Sequence, residues 1–199
     1  EAIEDNLYDR LASRYTKALA RSMSNAKQVK AANPLNNGLP SVATYKTGDG
    51  VALFSTAHPT ISGTNVANTL STQADLNETS LEQALIDIAA FTDERGLKVA
   101  ARGVKMIVPS ANQFNAERLL KSQGRTGTAD NDINAVNSMG MIPQGYRVNH
   151  FLNDSDSFYI ITDVPNGMKH FERTPLTTSM EGDFDTGNVR YKARERYVF

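Results

Sequence analysis

Val189-Arg-Tyr-Lys-Ala-Arg-Glu-Arg-Tyr-Val-Phe199 alternates with period two. Side chains alternate faces along a strand, so the odd positions Val189, Tyr191, Ala193, Tyr197 and Phe199 share one side. Glu195 interrupts that apolar row. Arg190, Lys192, Arg194 and Arg196 share the other side, a row of four cations. The reading is a strand with one apolar and one basic face. The basic row predicts acidic partners on another element or another subunit, since no local acid other than Glu195 adjoins it. An edge strand kept soluble by Lys and Arg is the competing reading. Termini usually fray. An aromatic-rich strand at the last residue therefore predicts an internal piece of a longer polypeptide.

Composition bounds the fold. The 199 residues suffice for one large domain or two small ones. Apolar content of 40% and charged content of 22% are those of a folded globular protein. A net charge of −1 gives no general support for nucleic-acid binding. The absence of cysteine excludes disulfides and thiolate metal sites and fits a reducing compartment. No apolar run approaches the roughly 20 residues of a membrane span.

Working backwards from the tail, elements of both kinds appear without regular alternation, which defines an α+β class. Residues 1–33 hold neither Gly nor Pro, and Ile3, Leu7, Leu11, Tyr15, Leu19 and Met23 recur every fourth residue. A step of four advances about 40° beyond a full turn, so this stripe winds round the helix. The winding predicts a helix of about 42 Å over residues 4–32 that passes between packing neighbours, with Leu19 and Met23 buried against the chain's own sheet. Asn33-Pro34 predicts its end. Turns are expected at Asn36-Asn-Gly38 and Thr47-Gly-Asp-Gly50, with a short buried strand at Val51–Phe54 and a long loop from Thr60 to Asn77. Ser80 and Gln83 form a capping-box pattern ahead of Leu81, Leu85, Ile88 and Ala89, with Gly96 as the C-cap. Val104–Val108 reads as a buried strand, Ser110–Ser122 as a capped helix, and Gln123–Asn131 as a polar loop. Tyr146–Leu152, Phe158–Thr162 and Met168–Phe171 read as strands.

Candidate chemistry is sparse. His150 and His170 are expected on neighbouring strands of one sheet, where Glu172 completes a possible metal set for a hydrolase. No close-spaced ligand motif accompanies them. Asp183, Asp185 and Asn188 have some of the spacing of a calcium loop but lack its glycine and its twelfth-position Glu, so they read as a capped turn. Gly124-Arg-Thr-Gly127 lacks the strand and spacing of a phosphate loop. His58 precedes Pro59 in a turn. These residues support no catalytic assignment, no metal and no cofactor.

Four phrases occur in order over nearly the whole chain: Gly50-Val-Ala-Leu-Phe-Ser-Thr-Ala-His-Pro59, Phe91-Thr-Asp-Glu-Arg-Gly96, Gly127-Thr-Ala-Asp-Asn-Asp-Ile-Asn134 and the segment from Met180 to Tyr197. Together they resemble the major capsid proteins of tailed bacteriophages. The resemblance implies the Hong Kong ninety-seven-like capsid fold, shared with herpesviruses. It implies a peripheral domain of residues 1–75 plus 176–199, with a spine helix and long returning strands. It implies an axial domain of residues 76–175, a central sheet flanked by helices. The family's N-terminal arm and extended loop are not matched, and truncation at both ends is expected.

The implied role is a major head protein, a structural protein and not an enzyme. Copies would tile as pentamers and hexamers into an icosahedral shell around double-stranded DNA, without sequence-specific binding and without a membrane. Scaffold, portal and decoration proteins are the further partners it implies, with assembly in the bacterial host cytoplasm and residence in the virion. Arg190, Lys192, Arg194 and Arg196 are then candidates for one side of a subunit interface, and the acidic turn with Asp183 and Asp185 for the other. A metal-assisted hydrolase and a different virion part, from the tail or portal, are the alternatives.

Overall fold

The computed structural model describes residues 8–39, 45–125, 132–182 and 189–199. The chain forms two compact units, Glu1–Ala31 with Asn166–Phe199 and Ala32–Pro165. Residues 32–75 thus cluster with the segment that follows them. Among the described residues helices and two small sheets are mixed, giving an α+β protein. Among the described residues no helix is long and apolar enough to cross a membrane.

Helix α1 (Tyr8–Asn36) is continuous over 29 residues and contains Pro34. The expected stop at Asn33-Pro34 comes one turn too early. Pro34 removes one donor, but three residues further on Asn37 N–H still reaches the Asn33 carbonyl at 2.9 Å. Ala32 and Leu35 are buried. The Asn36 side chain donates to the Phe151 carbonyl at 2.9 Å and accepts from Asn153 N–H at 3.0 Å. Tertiary contacts therefore hold the last turn helical past the proline. Gly38 follows at a crowded point: a Cβ there would lie 2.6 Å from the Pro34 carbonyl oxygen and 2.8 Å from the Phe54 ring. Phe54 N–H donates to the Gly38 carbonyl at 2.8 Å. Its ring lies 5.3 Å from that of Tyr159, whose hydroxyl donates to the Leu35 carbonyl at 3.1 Å.

The expected strand at Val51–Phe54 is not formed. Only Ala52 pairs, in an isolated bridge with Lys46. The local geometry is set by Asp49, whose carboxylate accepts from the Thr47 hydroxyl, from Val51 N–H at 3.0 Å and pairs with His58 Nδ1 at 2.7 Å. Those bonds hold the Asp49 pKa down to about 2, the Thr47 hydroxyl contributing most, then His58, then the Val51 amide. Gly50, at φ +81°, completes the turn.

Helix α2 (Glu78–Ala89) is capped by Asn77, three residues before the expected Ser80. Asn77 Oδ1 accepts from Ser80 N–H at 2.8 Å, and Ser80 Oγ accepts from Asn77 N–H at 3.0 Å. Ser80 is thus the third residue of the helix and closes the box, which is reciprocal. Leu81, Leu85 and Ile88 are buried, whereas Ala89 is exposed. Gly96 is not a helix cap. It closes a separate turn, donating to the Asp93 carbonyl at 3.0 Å beneath the Thr92–Lys98 bridge.

Strand β1 (Gly103–Val108) is central in a three-stranded sheet, parallel to β2 (Tyr146–Val148) and antiparallel to β3 (Tyr159–Thr162). Parallel pairing needs a crossover. Helices α3 (Gln113–Lys121) and α4 (Ala135–Ser138) lie in that connection, and α4 went unread in the sequence. Leu81, Met106 and Val108 are fully buried at the centre of the core, surrounded by Leu76, Leu85, Ala116, Leu119, Leu120, Val136 and Ile142.

In the other unit, β4 (Phe171–Gly182) and β5 (Val189–Val198) form an antiparallel pair. The sequence placed a strand at Met168–Phe171. It begins instead at Phe171, after the Pro165–Gly167 turn, in which Asn166 holds φ +65°.

Candidate assembly surface

The register of β4 and β5 builds the surface. Arg196 faces Thr174, Arg194 faces Thr177, Lys192 faces Ser179 and Arg190 faces Glu181. Directly opposed residues lie on one side of an antiparallel pair. One face therefore carries four cations, three hydroxyl side chains and one acid. All four cations are exposed. Glu181 corrects the expectation that no local acid adjoins the basic row. It lies on the neighbouring strand, out of reach of a reading along one strand.

The opposite face is covered in part, with Tyr191 and Phe199 on it exposed. Ala193, Glu195 and Tyr197 are half-buried. Lys27 of α1 sits 3.1 Å from the Glu172 carboxylate and 3.7 Å from that of Glu195, with its ammonium 4.9 Å from the Tyr197 ring centre. Lys30 lies 5.7 Å from the same ring. The hydrogen bond to Glu172 is the main cause that raises the Lys27 pKa. Glu195, the residue that broke the apolar row in the sequence, is therefore the counter-charge of this lysine. Its odd position in the pattern was the signal for the contact.

This arrangement also corrects the packing expected for α1. Leu19 is 37% exposed, and Tyr15 and Val29 are exposed too. Met23, the other residue expected inside, is half-buried, and so are Thr16 and Lys27, a spacing of seven and four that keeps one helix face. Lys27 reaches β4 and β5 through its charge, to the two carboxylates and the Tyr197 ring.

The pairing of β4 and β5 shifts register on both sides of Thr174. Pro175, which has no amide donor, lies in this irregular part. Near the same end, His170 stacks on Phe199 at 4.7 Å, and Tyr197 meets Phe199 edge-on at 5.4 Å. Phe171 and Val198 form an exposed apolar cross-strand pair beside Arg196.

The histidines are not placed as expected. His150 lies in a turn after β2, and His170 precedes β4, so neither is on a strand and they belong to different units. Glu172 is engaged by Lys27. Among the described residues, no group of three or more His, Asp or Glu is arranged to hold a metal ion. Asp183, Asp185 and Asn188 lie outside the described residues, as does Gly127. Arg125, from the same Gly-Arg-Thr-Gly stretch, donates through Nε to Glu78 at 3.0 Å.

What the described residues present is a charged sheet face on a helix-backed hairpin, suited to contacts with other chains. Residues 1–199 match the model of a structural, shell-forming family. That family is the phage capsid protein family, and the chain belongs to it. It is thus a virion protein that assembles into a shell with copies of itself. No curated protein and no solved structure matches the chain.

Proposed function

We propose that the chain is the major head protein of a tailed phage and that its fold is the Hong Kong ninety-seven-like one. The match of the capsid family over all of residues 1–199 carries this reading. A 29-residue helix, a hairpin of two long strands and a helix-flanked three-stranded sheet are the parts such a subunit needs. The spine helix and the returning strands form its peripheral part, and the region centred on residues 76–175 its axial part. Pentamers and hexamers of this subunit close an icosahedral shell in the host cytoplasm, with scaffold, portal and decoration proteins as further partners. Arg190, Lys192, Arg194 and Arg196, with Asp183 and Asp185, contribute to contacts between subunits. Electron microscopy of the full-length product tests the reading. Closed icosahedral shells are expected, whereas tubes or rings would assign the chain to a tail or portal.

A further inference from the structure

Charge is divided unevenly over the chain. The unit with the hairpin holds 12 Lys and Arg against 9 Asp and Glu, and the other unit 9 against 13. Within the second, residues 47–94 contain Asp49, Asp75, Glu78, Glu82, Asp87, Asp93 and Glu94 and not one Lys or Arg. Asp49 is engaged by His58, and Glu78 by Arg125. Helix α2 presents a further pair. Glu82 and Ile86 stand four apart on it, as do Gln83 and Asp87, on the half of the helix away from buried Leu81, Leu85 and Ile88. Gln83 Nε2 donates to the Asp87 carboxylate at 2.8 Å, and Ile86 is 61% exposed. This is an acidic strip with an apolar side chain in its middle.

The hairpin face has the complementary charge. Lys192, Arg194 and Arg196 are exposed. Val198 follows on the same face and is 59% exposed. Lone cations at a sheet edge serve solubility, but three at every second position, ending in an exposed valine, form a graded surface. Like charges set side by side repel, and an acidic partner relieves that repulsion.

We infer that the basic face of β4 and β5 docks on the outer side of α2 in a second copy of the chain, with Arg194 and Arg196 opposite Glu82 and Asp87 and Val198 against Ile86. The inference deepens the capsid reading and rests on it. Duplex DNA is the other polyanion such a face can meet. Glu181 lies within the face, opposite Arg190, and places a carboxylate where a phosphate backbone would run. That favours the protein partner.

The test is complementation between two charge-reversed chains. One carries Arg194→Glu and Arg196→Glu, the other Glu82→Lys and Asp87→Lys. Circular dichroism first shows both to be folded, as expected for surface positions. Sedimentation velocity at low salt then reads self-association. Each variant alone should associate at least about tenfold more weakly than the unmodified chain. An equimolar mixture should recover most of the loss, because every reversed hairpin then meets a reversed α2. Association of the wild-type chain should weaken with salt. Variants that associate like the wild type overturn the inference, and so does a mixture that stays dissociated. Loss of binding to labelled duplex DNA by the hairpin variant, with its self-association intact, also overturns it and makes the face a nucleic-acid surface. A wild-type chain that never self-associates contradicts the capsid reading itself, and the docking with it.

Discussion

Adding one methyl group at two turn glycines, Gly38 and Gly48, should have unequal consequences. At Gly38 a new Cβ would lie 2.6 Å from the Pro34 carbonyl oxygen and 2.8 Å from two atoms of the Phe54 ring. Ordinary contact requires about 3.4 Å or more between such atoms, so something must move by about half an ångström or more. The carbonyl belongs to the last turn of α1, fixed by buried Ala32 and Leu35. The Phe54 ring is held by Tyr159, which is itself bonded to Leu35. Neither neighbour is the free end of a flexible side chain. Overpacking of this kind costs about 1–3 kcal/mol. At about 2–4 °C per kcal/mol for a chain of this size, Gly38→Ala should lower the Tm by about 2–12 °C. At Gly48 an added Cβ meets nothing within 4 Å, so Gly48→Ala should leave the Tm nearly unchanged. Calorimetry and urea unfolding of dilute, unassembled subunit measure both. Equal effects at the two glycines would show that the joint between α1 and Phe54 is looser than described, and the reasoning fails.

Other expectations follow from single contacts. Leu81→Ala, at a fully buried position, should cost about 2–5 kcal/mol in urea unfolding, whereas the half-exposed Leu19 should cost far less; similar losses would refute the packing assigned to α1. Asn77→Ala should cost about 1 kcal/mol by removing the reciprocal cap of α2, while Asn77→Asp should retain most of it. Asp49 has a lowered pKa in the folded state, so its ionised form stabilises the fold above about pH 4, and that contribution disappears as pH falls towards 2. Thermal melts of Asp49→Asn should accordingly be lower than wild type at pH 6 and converge on it near pH 2; a constant gap across that range would contradict the assignment.

The parts of the fold legible in sequence are those where one side of an element decides its packing. The alternation of Val189–Phe199 gave β5 and its two faces, and Leu81, Leu85 and Ile88 gave the buried side of α2. The core strand β1 was visible because it is apolar and ends at Pro109. Features set by distant partners were not legible. A proline ends most helices, but past Pro34 the side chain of Asn36 is gripped by residues 151 and 153, more than a hundred positions away. The run Val51–Phe54 has strand composition, yet the bonds collected by Asp49 fold it into turns. The cap of α2 was misplaced because both Asn77 and Ser80 are good capping residues, and only the geometry shows which is outermost.

The basic face was found from one strand alone, by counting every second residue. Its lining of Thr177, Ser179 and Glu181 depends on the cross-strand register, which runs regularly from Gly182 to Thr177 and shifts only beyond, on either side of Thr174. By residue type alone Lys27 is only a base near the end of a long helix. It is instead the residue on which Glu172, Glu195 and Tyr197 converge. A charged residue that breaks an apolar row is a pointer to an unseen partner, and Glu195 was that residue.

The central claim is that this chain builds a phage shell through contacts between its own copies. A cryo-electron microscopy reconstruction of particles formed by the full-length product tests it most directly. The account predicts a closed icosahedral shell of one repeated subunit, each with the continuous helix of residues 8–36 and with the Lys192, Arg194 and Arg196 face of its hairpin seated against a neighbouring copy. An open tube or ring, or a shell in which that face lies bare to solvent, would contradict it.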